Sequence, residues 1–376
     1  MRLNGPFSEC IVLVPMRFLL SLFTAPLSLI WYAVAVCRSK LFDWGILPSE
    51  RFDVPTICVG NLAVGGTGKT PHVEYILNIL HEQGYRVAML SRGYGRKTKG
   101  YILSDGTQTA AEIGDEPFQI QQNCPYATVA VCEKRVVGIR QLLALTPRPE
   151  VIVLDDAYQH RYVQSGFNVL LTDAARLYTH DHLLPWGRLR EPASAAHRAN
   201  LVVVTKCKSG QRPILPILPE QTLYYSSIKY AKNYPIDVAQ PLVSVSYDGR
   251  AILLIVGIAN PAPLQTFLQE QGAVLVRVVS FADHHAFTAA DYDRIHHEWQ
   301  HLLALCPTSV SALAVTTQKD ASRFVNHLQF FQTDFKSKLY VQPISVSLTN
   351  AEAESNTFQN KILNYVSKNS RNRSMD

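Results

Sequence analysis

Val54-Pro55-Thr56-Ile57-Cys58-Val59-Gly60-Asn61-Leu62-Ala63-Val64-Gly65-Gly66-Thr67-Gly68-Lys69-Thr70-Pro71 is the stretch on which the reading of the chain turns. Its first part, residues 54–59, is a short apolar run rich in β-branched side chains and reads as a buried strand. A glycine-rich turn follows, and then helical periodicity over residues 72–83. In that setting successive backbone N–H groups can converge on phosphate oxygens. Lys69 would carry a point charge to the β- and γ-phosphates, and the Thr70 hydroxyl would ligate Mg2+. Ala63 replaces the first glycine of the general G-x-x-x-x-G-K-[ST] pattern, but glycines at 60, 65, 66 and 68 compensate. Gly65, Gly66, Thr67, Gly68, Lys69 and Thr70 are therefore the candidate nucleotide-binding residues. The competing reading is a strand-to-helix turn with no ligand.

Outward from this loop the chain alternates. Further apolar runs lie at 86–90, 127–132, 151–154, 168–171 and 201–205, with a helical pattern at 135–145 between two of them. Continuous apolar strands separated by helices imply a parallel sheet covered on both faces. One run, Val151-Ile152-Val153-Leu154, ends in Asp155-Asp156, at the strand edge where ligands of such sheets bind. Those two carboxylates are the candidate partners of Mg2+. A guanine-reading segment would place an aspartate two residues after Lys206, and Lys208 stands there instead, which argues against GTP.

Residues 206–240 change in composition and read as a connector. Strands then follow near 251–256, 273–279, 311–316 and 338–343, with helices near 263–271, 289–305 and 358–367. The expected organisation is a hydrophobic segment over residues 1–45, a P-loop NTPase-like α/β domain over 46–206, a hinge over 207–245 and a smaller α/β domain over 246–376.

The composition narrows the classes. In 376 residues, 47% hydrophobic and 18% charged content excludes general disorder, and a mean hydropathy near zero excludes a polytopic membrane protein. The seven cysteines are scattered without a C-x-x-C pair, as in a reducing compartment. The net charge of +6 suits anionic ligands or an anionic surface. One asymmetry stands out: the twenty residues 18–37, between Arg17 and Arg38, carry no charge. As a helix they would cover about 30 Å, with a bend expected at Pro26. A cleaved signal peptide, an uncleaved anchor and a core helix are the readings in competition.

Three clusters look chemical. Gly114-Asp115-Glu116-Pro117 places adjacent acids in a turn, where one could accept the proton of an attacking hydroxyl, or merely cap a helix. Paired arginines in Ser91-Arg92-Gly93-Tyr94-Gly95-Arg96 and in Trp186-Gly187-Arg188-Leu189-Arg190-Glu191-Pro192 suit phosphate recognition. Asp283-His284-His285 follows a strand and could tune a base or bind metal.

Taken in order, these segments resemble the tetraacyldisaccharide 4′-kinases of lipid A biosynthesis, from about residue 41 to 365. The segments Asp155-Asp156-Ala157-Tyr158-Gln159-His160 and Gly257-Ile258-Ala259-Asn260-Pro261 complete the series. The resemblance implies transfer of the ATP γ-phosphoryl to the 4′-hydroxyl of an acylated glucosamine disaccharide 1-phosphate, giving lipid IVA. It implies Asp115 as catalytic base with His284 as its partner, and Asp155 and Asp156 near Mg2+. Arg92, Glu116, Arg135, Gln159, His160, Arg190 and Glu191 are implied in the acceptor and phosphate surroundings. Ala157 and Gln318 depart from the family's usual Gly and Glu.

A different P-loop ATPase or GTPase, or a membrane-bound nucleotide sensor without catalysis, are the alternatives. Under the kinase reading, ATP confines the chain to the cytoplasmic side and disfavours an export signal. The uncharged segment then becomes an anchor to the cytoplasmic face of the bacterial inner membrane, spanning or interfacial, with Arg38 and Lys40 suited to that leaflet. A membrane lipid surface is an expected partner; nucleic acid is not, and no protein partner is implied.

Overall fold

The computed structural model describes residues 8–208, 210–237, 239–283, 285, 287–307, 309–350 and 357–371. It begins with one long helix, α1 (Ser8–Asp43), which continues on both sides of Pro26. Strands and helices then alternate through β1 (Thr56–Asn61), α2 (Lys69–Glu82), β2 (Val87–Ser91) and the short β3 (Ile102–Leu103). Next come α3 (Ala110–Ile113), α4 (Asp115–Asn123), β4 (Thr128–Val131), α5 (Arg135–Leu143), β5 (Val151–Asp155) and β6 (Phe167–Asp173). After β7 (Leu201–Thr205), β8 (Thr222–Tyr230) and β9 (Tyr234–Pro235), a second set opens with β10 (Ala251–Val256), α6 (Ala262–Glu270) and β11 (Leu275–Ser280). It closes with α7 (Ala289–Leu305), β12 (Ala312–Thr317), α8 (Gln318–Phe324), α9 (Thr333–Ser337), β13 (Leu339–Gln342), β14 (Ile344–Asn350) and α10 (Phe358–Arg371).

The chain divides into two compact units, and the division is not linear in sequence. The first runs up to Leu90 and adds Lys134–Ser227 and the chain from Leu348; the second consists of Ser91–Glu133 and Ile228–Ser347. Residues 91–133, expected with the P-loop, thus group with the second unit, and α10 groups with the first.

In the first unit the strand order is β8-β7-β6-β1-β5-β2, and β1 pairs in parallel with both β5 and β6. Every residue of β1, β2, β5 and β7 is buried, which accounts for their unbroken apolar runs. The expected connector holds a strand: β8 pairs in parallel with β7 through Leu201↔Thr222 to Val204↔Tyr225. Its Thr-Leu-Tyr-Tyr-Ser-Ser-Ile sequence is strand-forming, but the prolines and polar residues before it concealed the pattern. Helix α10 is fastened by aromatic contacts. The Phe358 ring lies 5.4 Å from Tyr224 and 5.9 Å from Tyr75, and the Tyr365 hydroxyl hydrogen-bonds both Thr56 N–H and Thr56 O at 3.2 Å. Gly166 makes room for that hydroxyl, since a Cβ there would come within 2.1 Å of it.

The second unit has the sheet β11-β10-β12-β13-β9, parallel except for β9 against β13. Trp299, Phe324 and Phe335 fill its core on one face of β10. The same unit holds the antiparallel pair β3–β4 and helix α4, which packs against α8. Gln318 at the start of α8 donates to the Asn123 side-chain oxygen at 3.0 Å, so the departure from the family's glutamate sits at this helix contact.

Candidate active site

The parallel register places the ends of four strands on one edge of the first unit. Val59 stands opposite Asp155, and Asp173 opposite Thr205. The glycine-rich loop leaves β1 at this edge and enters α2 through Gly68, whose φ of +83° lies in the left-handed region and also serves as helix N-cap. Lys69 and Thr70 are the first residues of α2, where backbone N–H groups lack intrahelical acceptors and the helix end favours an anion. The loop is held from several sides. Asn61 donates to the Thr67 hydroxyl at 2.9 Å, and both side chains are buried. Val64 N–H donates to Arg188 O at 2.8 Å, and Arg190 N–H to Leu62 O at 2.7 Å. Lys206 donates to Gly66 O and pairs with Asp173 at 2.8 Å. Behind the loop, His72 is fully buried, with Nδ1 at 2.7 Å from Gly68 O and Nε2 at 3.0 Å from Ser226 Oγ. The carbonyl must accept, so Nδ1 carries the proton and the serine hydroxyl donates to Nε2. A cavity of about 120 Å³ adjoins the loop on its Asp173, Arg176 and Arg188 side.

The two strand-end acids have different surroundings. Asp155 is buried, and its carbonyl accepts from the buried Arg135 at 3.3 Å. Asp156, at a φ of +44°, turns its carboxylate toward cations. Arg190 reaches it at 2.9 and 3.3 Å, and Lys69 Nζ lies 3.9 Å away. Burial alone would raise its pKa, but Lys69, Arg190 and Arg135 hold it below the usual carboxylate range. Asp156 therefore stays ionised, and it keeps Lys69 and Arg190 directed to one place. Arg190 also donates to the Asn61 side-chain oxygen. Gln159 donates to Asn61 O at 2.8 Å and to Glu191 at 3.3 Å, and Glu191 pairs with Arg198 at 2.7 Å.

Lys69, Thr70, Asp155, Asp156, Arg135, Gln159, Arg190 and Glu191 thus gather around one sheet edge. His160 instead packs its ring 5.6 Å from Tyr162. In the second unit Arg92 is exposed, while Asp115 and Glu116 are half-buried in the first turn of α4. His284 lies outside the described residues. The sequence reading missed four contributors: Asn61, Lys206, Arg198 and, in the second unit, Arg323. Arg323 grips Asp115 through Nε at 3.0 Å and Nη2 at 2.6 Å. Asn61 and Lys206 stood in segments already singled out, next to the loop and at a strand end. Arg198 and Arg323 had no such signal.

Among the described residues no group of three or more His, Cys, Asp or Glu side chains is placed to hold a metal ion. Mg2+ does not require one, because it is commonly bound by one or two carboxylates together with phosphate oxygens and water. The Thr70 hydroxyl and the Asp155 and Asp156 carboxylates are oxygen donors at this edge, and that donor chemistry fits.

A buried parallel sheet, a Gly-Lys-Thr loop entering a helix and strand-end acids beside its lysine define a P-loop nucleotide-binding protein. The family model described as tetraacyldisaccharide-1-P 4′-kinase matches residues 20–364. A tetraacyldisaccharide 4′-kinase of Bacteroides thetaiotaomicron is 42% identical, with 93% of this chain and 94% of that protein covered. Its counterpart in Parabacteroides distasonis is 46% identical over 82% and 85%. Among solved structures, "apo"-form LpxK from Aquifex aeolicus in complex with ATP is similar at a TM-score of 0.71 and 26% identity, covering 93% of this chain and 99% of that one. The chain belongs to the tetraacyldisaccharide-1-P 4′-kinase family.

Proposed function

We propose that this kinase transfers the γ-phosphoryl of ATP to the 4′-hydroxyl of a tetra-acylated glucosamine disaccharide 1-phosphate. The observation that carries the reading is the Lys69–Asp156–Arg190 cluster at the mouth of the glycine-rich loop. It concentrates two cations where a γ-phosphoryl group would sit and keeps them oriented before substrate arrives. The loop amides and the N-terminus of α2 bind the phosphates of ATP. Thr70, Asp155 and Asp156 would hold Mg2+, which supplies charge neutralisation across the phosphates when bound. Lys69 and Arg190 offset the charge spread over the transferring group. Asp115 takes the proton of the 4′-hydroxyl, with His284 as its partner. Arg92, Glu116, Arg135, Gln159, His160 and Glu191 serve the phosphate and acceptor surroundings.

The acceptor's acyl chains stay in a bilayer, so the enzyme must work at a membrane surface, and α1 is suited to bring it there. Among the described residues no helix is long and apolar enough to cross a membrane. One side of α1 is bound to the first unit: Ser28 donates to Leu183 O, Trp31 to Arg190 O, and Arg38 to Gln159 O. Another side exposes Leu29, Ile30 and Val34. An exposed apolar surface of this kind favours contact with the interface of the cytoplasmic leaflet.

The test is incubation with γ-labelled ATP, Mg2+ and the acylated disaccharide 1-phosphate. Label should enter the lipid in an acceptor-dependent way. Asp115→Ala should lower turnover about 10²–10⁴-fold. An undiminished rate in that variant removes Asp115 from the role of base.

A further inference from the structure

We propose that Arg323, itself held by Asp320, is the residue that positions the Asp115 carboxylate for proton abstraction. The inference rests on the reading of Asp115 as base and adds to it what sets the orientation and ionisation of that base.

The arrangement lies wholly within the second unit. Arg323 presents Nε and Nη2 to one oxygen of Asp115, at 3.0 and 2.6 Å. Its remaining nitrogen, Nη1, donates to Asp320 Oδ1 at 3.1 Å. Asp320 is completely buried, and its other oxygen accepts from Gly257 N–H at 2.9 Å and from the Thr317 hydroxyl at 2.7 Å. Two strand ends, after β10 and β12, therefore fix Asp320. Asp320 fixes the guanidinium, and the guanidinium fixes the carboxylate on α4. The Arg323 side chain is only 8% exposed, so solvent competes weakly for it. Gly257 belongs to the arrangement for steric reasons, because a Cβ there would stand 2.9 Å from the Asp320 carboxylate.

A buried arginine could serve packing alone. Two features point further. The fork spends two donors on Asp115, a half-exposed residue at the first turn of its helix, although Asp320 alone would satisfy the charge of Arg323. In addition, α4 and α8 are already joined by the Gln318–Asn123 hydrogen bond, which needs no ion pair. Phosphoryl transfer through a loose transition state asks little basicity of its base and much alignment, so pairing with arginine does not spoil the carboxylate for the task.

The Arg323 guanidinium lies 2.6 Å from the Asp115 carboxylate, while Glu116 follows Asp115 in the first turn of α4. An opposite charge within 4–6 Å favours the ionised carboxyl by about 1–3 pH units, so its loss moves protonation of Asp115 to higher pH.

The experiment compares Arg323→Met, Arg323→Lys, Asp115→Asn and the double variant Asp115→Asn/Arg323→Met in the full-length enzyme with γ-labelled ATP and acylated disaccharide 1-phosphate. Arg323→Met should lower kcat about 10–100-fold, leave the KM for ATP within about twofold, and move the acid limb of the pH–kcat profile up by about one unit. Arg323→Lys, which keeps the charge and loses the fork, should restore the acid limb and part of kcat. The double variant should be no slower than Asp115→Asn alone. If Arg323→Met unfolds, Arg323→Lys carries the test, because lower kcat with unchanged KM for ATP is still required of it. An inactive Asp115→Asn together with Arg323 variants of unchanged kcat and pH profile overturns the proposal alone. An active Asp115→Asn overturns the assignment of the base.

Discussion

A buried histidine in the first turn of α2 has one comfortable protonation state. Burial lowers the pKa of His72 from its ordinary 6.5 to about 4, with the hydrogen bond to Gly68 opposing only in part. The unfolded chain therefore takes up a proton near pH 6.5 that the folded chain refuses until about pH 4. Stability contributed by neutral His72 is complete above pH 6.5 and is lost as the pH falls toward 4. Against a His72→Gln variant, the enzyme should show an extra loss of about 3 kcal/mol across that interval in urea titrations. Parallel profiles would mean that His72 is not held neutral. The Glu191–Arg198 pair makes a second residue-scale case, with side chains 8% and 14% exposed. Glu191→Ala leaves a buried guanidinium without its carboxylate and should destabilise the protein by about 3–5 kcal/mol. A change below about 1 kcal/mol in the urea midpoint would show that water takes over the role. The residues legible in the sequence were those whose chemistry is contiguous: Gly65 through Thr70, and Asp155 with Asp156. Asp115 was legible as a base candidate, but its grip by Arg323 was not, since 208 positions separate them.

At the scale of elements, periodicity located the strands with continuous burial and failed where burial is mixed. Strand β10, buried at every position, was expected with the bounds it has. Strand β8 is buried at only part of its length, and its tyrosines and polar residues hid it within an expected connector. Helix α10 was visible as a helix, but nothing in its own sequence says what it packs on. Phe358 is buried against Tyr75 and Tyr224 of the first unit, so Phe358→Ala should cost about 3–5 kcal/mol. Thermal melting checks this, and an unchanged transition would detach α10 from the core of that unit. Helix α1 follows the opposite logic. Replacing Leu29 and Ile30 by glutamate should weaken cosedimentation with anionic phospholipid vesicles several-fold while sparing stability, because both side chains are exposed. Equal binding of the variant would place membrane attachment elsewhere.

For the whole molecule, a linear reading assigns each domain a continuous span, whereas here the first unit takes three segments and the second takes two. The excursion from Ser91 to Glu133 belongs, with Asp115, to the second unit, whereas the glycine-rich loop belongs to the first. Connectivity of this kind leaves no trace in composition or periodicity, because both report local structure and not which elements pack together. The activity was legible nonetheless, since the ordered series of segments survives however the units are drawn. The central claim is phosphorylation of the sugar 4′-oxygen, and phosphorus NMR of the lipid formed from ATP and acylated disaccharide 1-phosphate tests it most directly. The expected result is one new phosphomonoester on the 4′-position beside the original 1-phosphate. Release of inorganic phosphate from ATP with the lipid unchanged would contradict it.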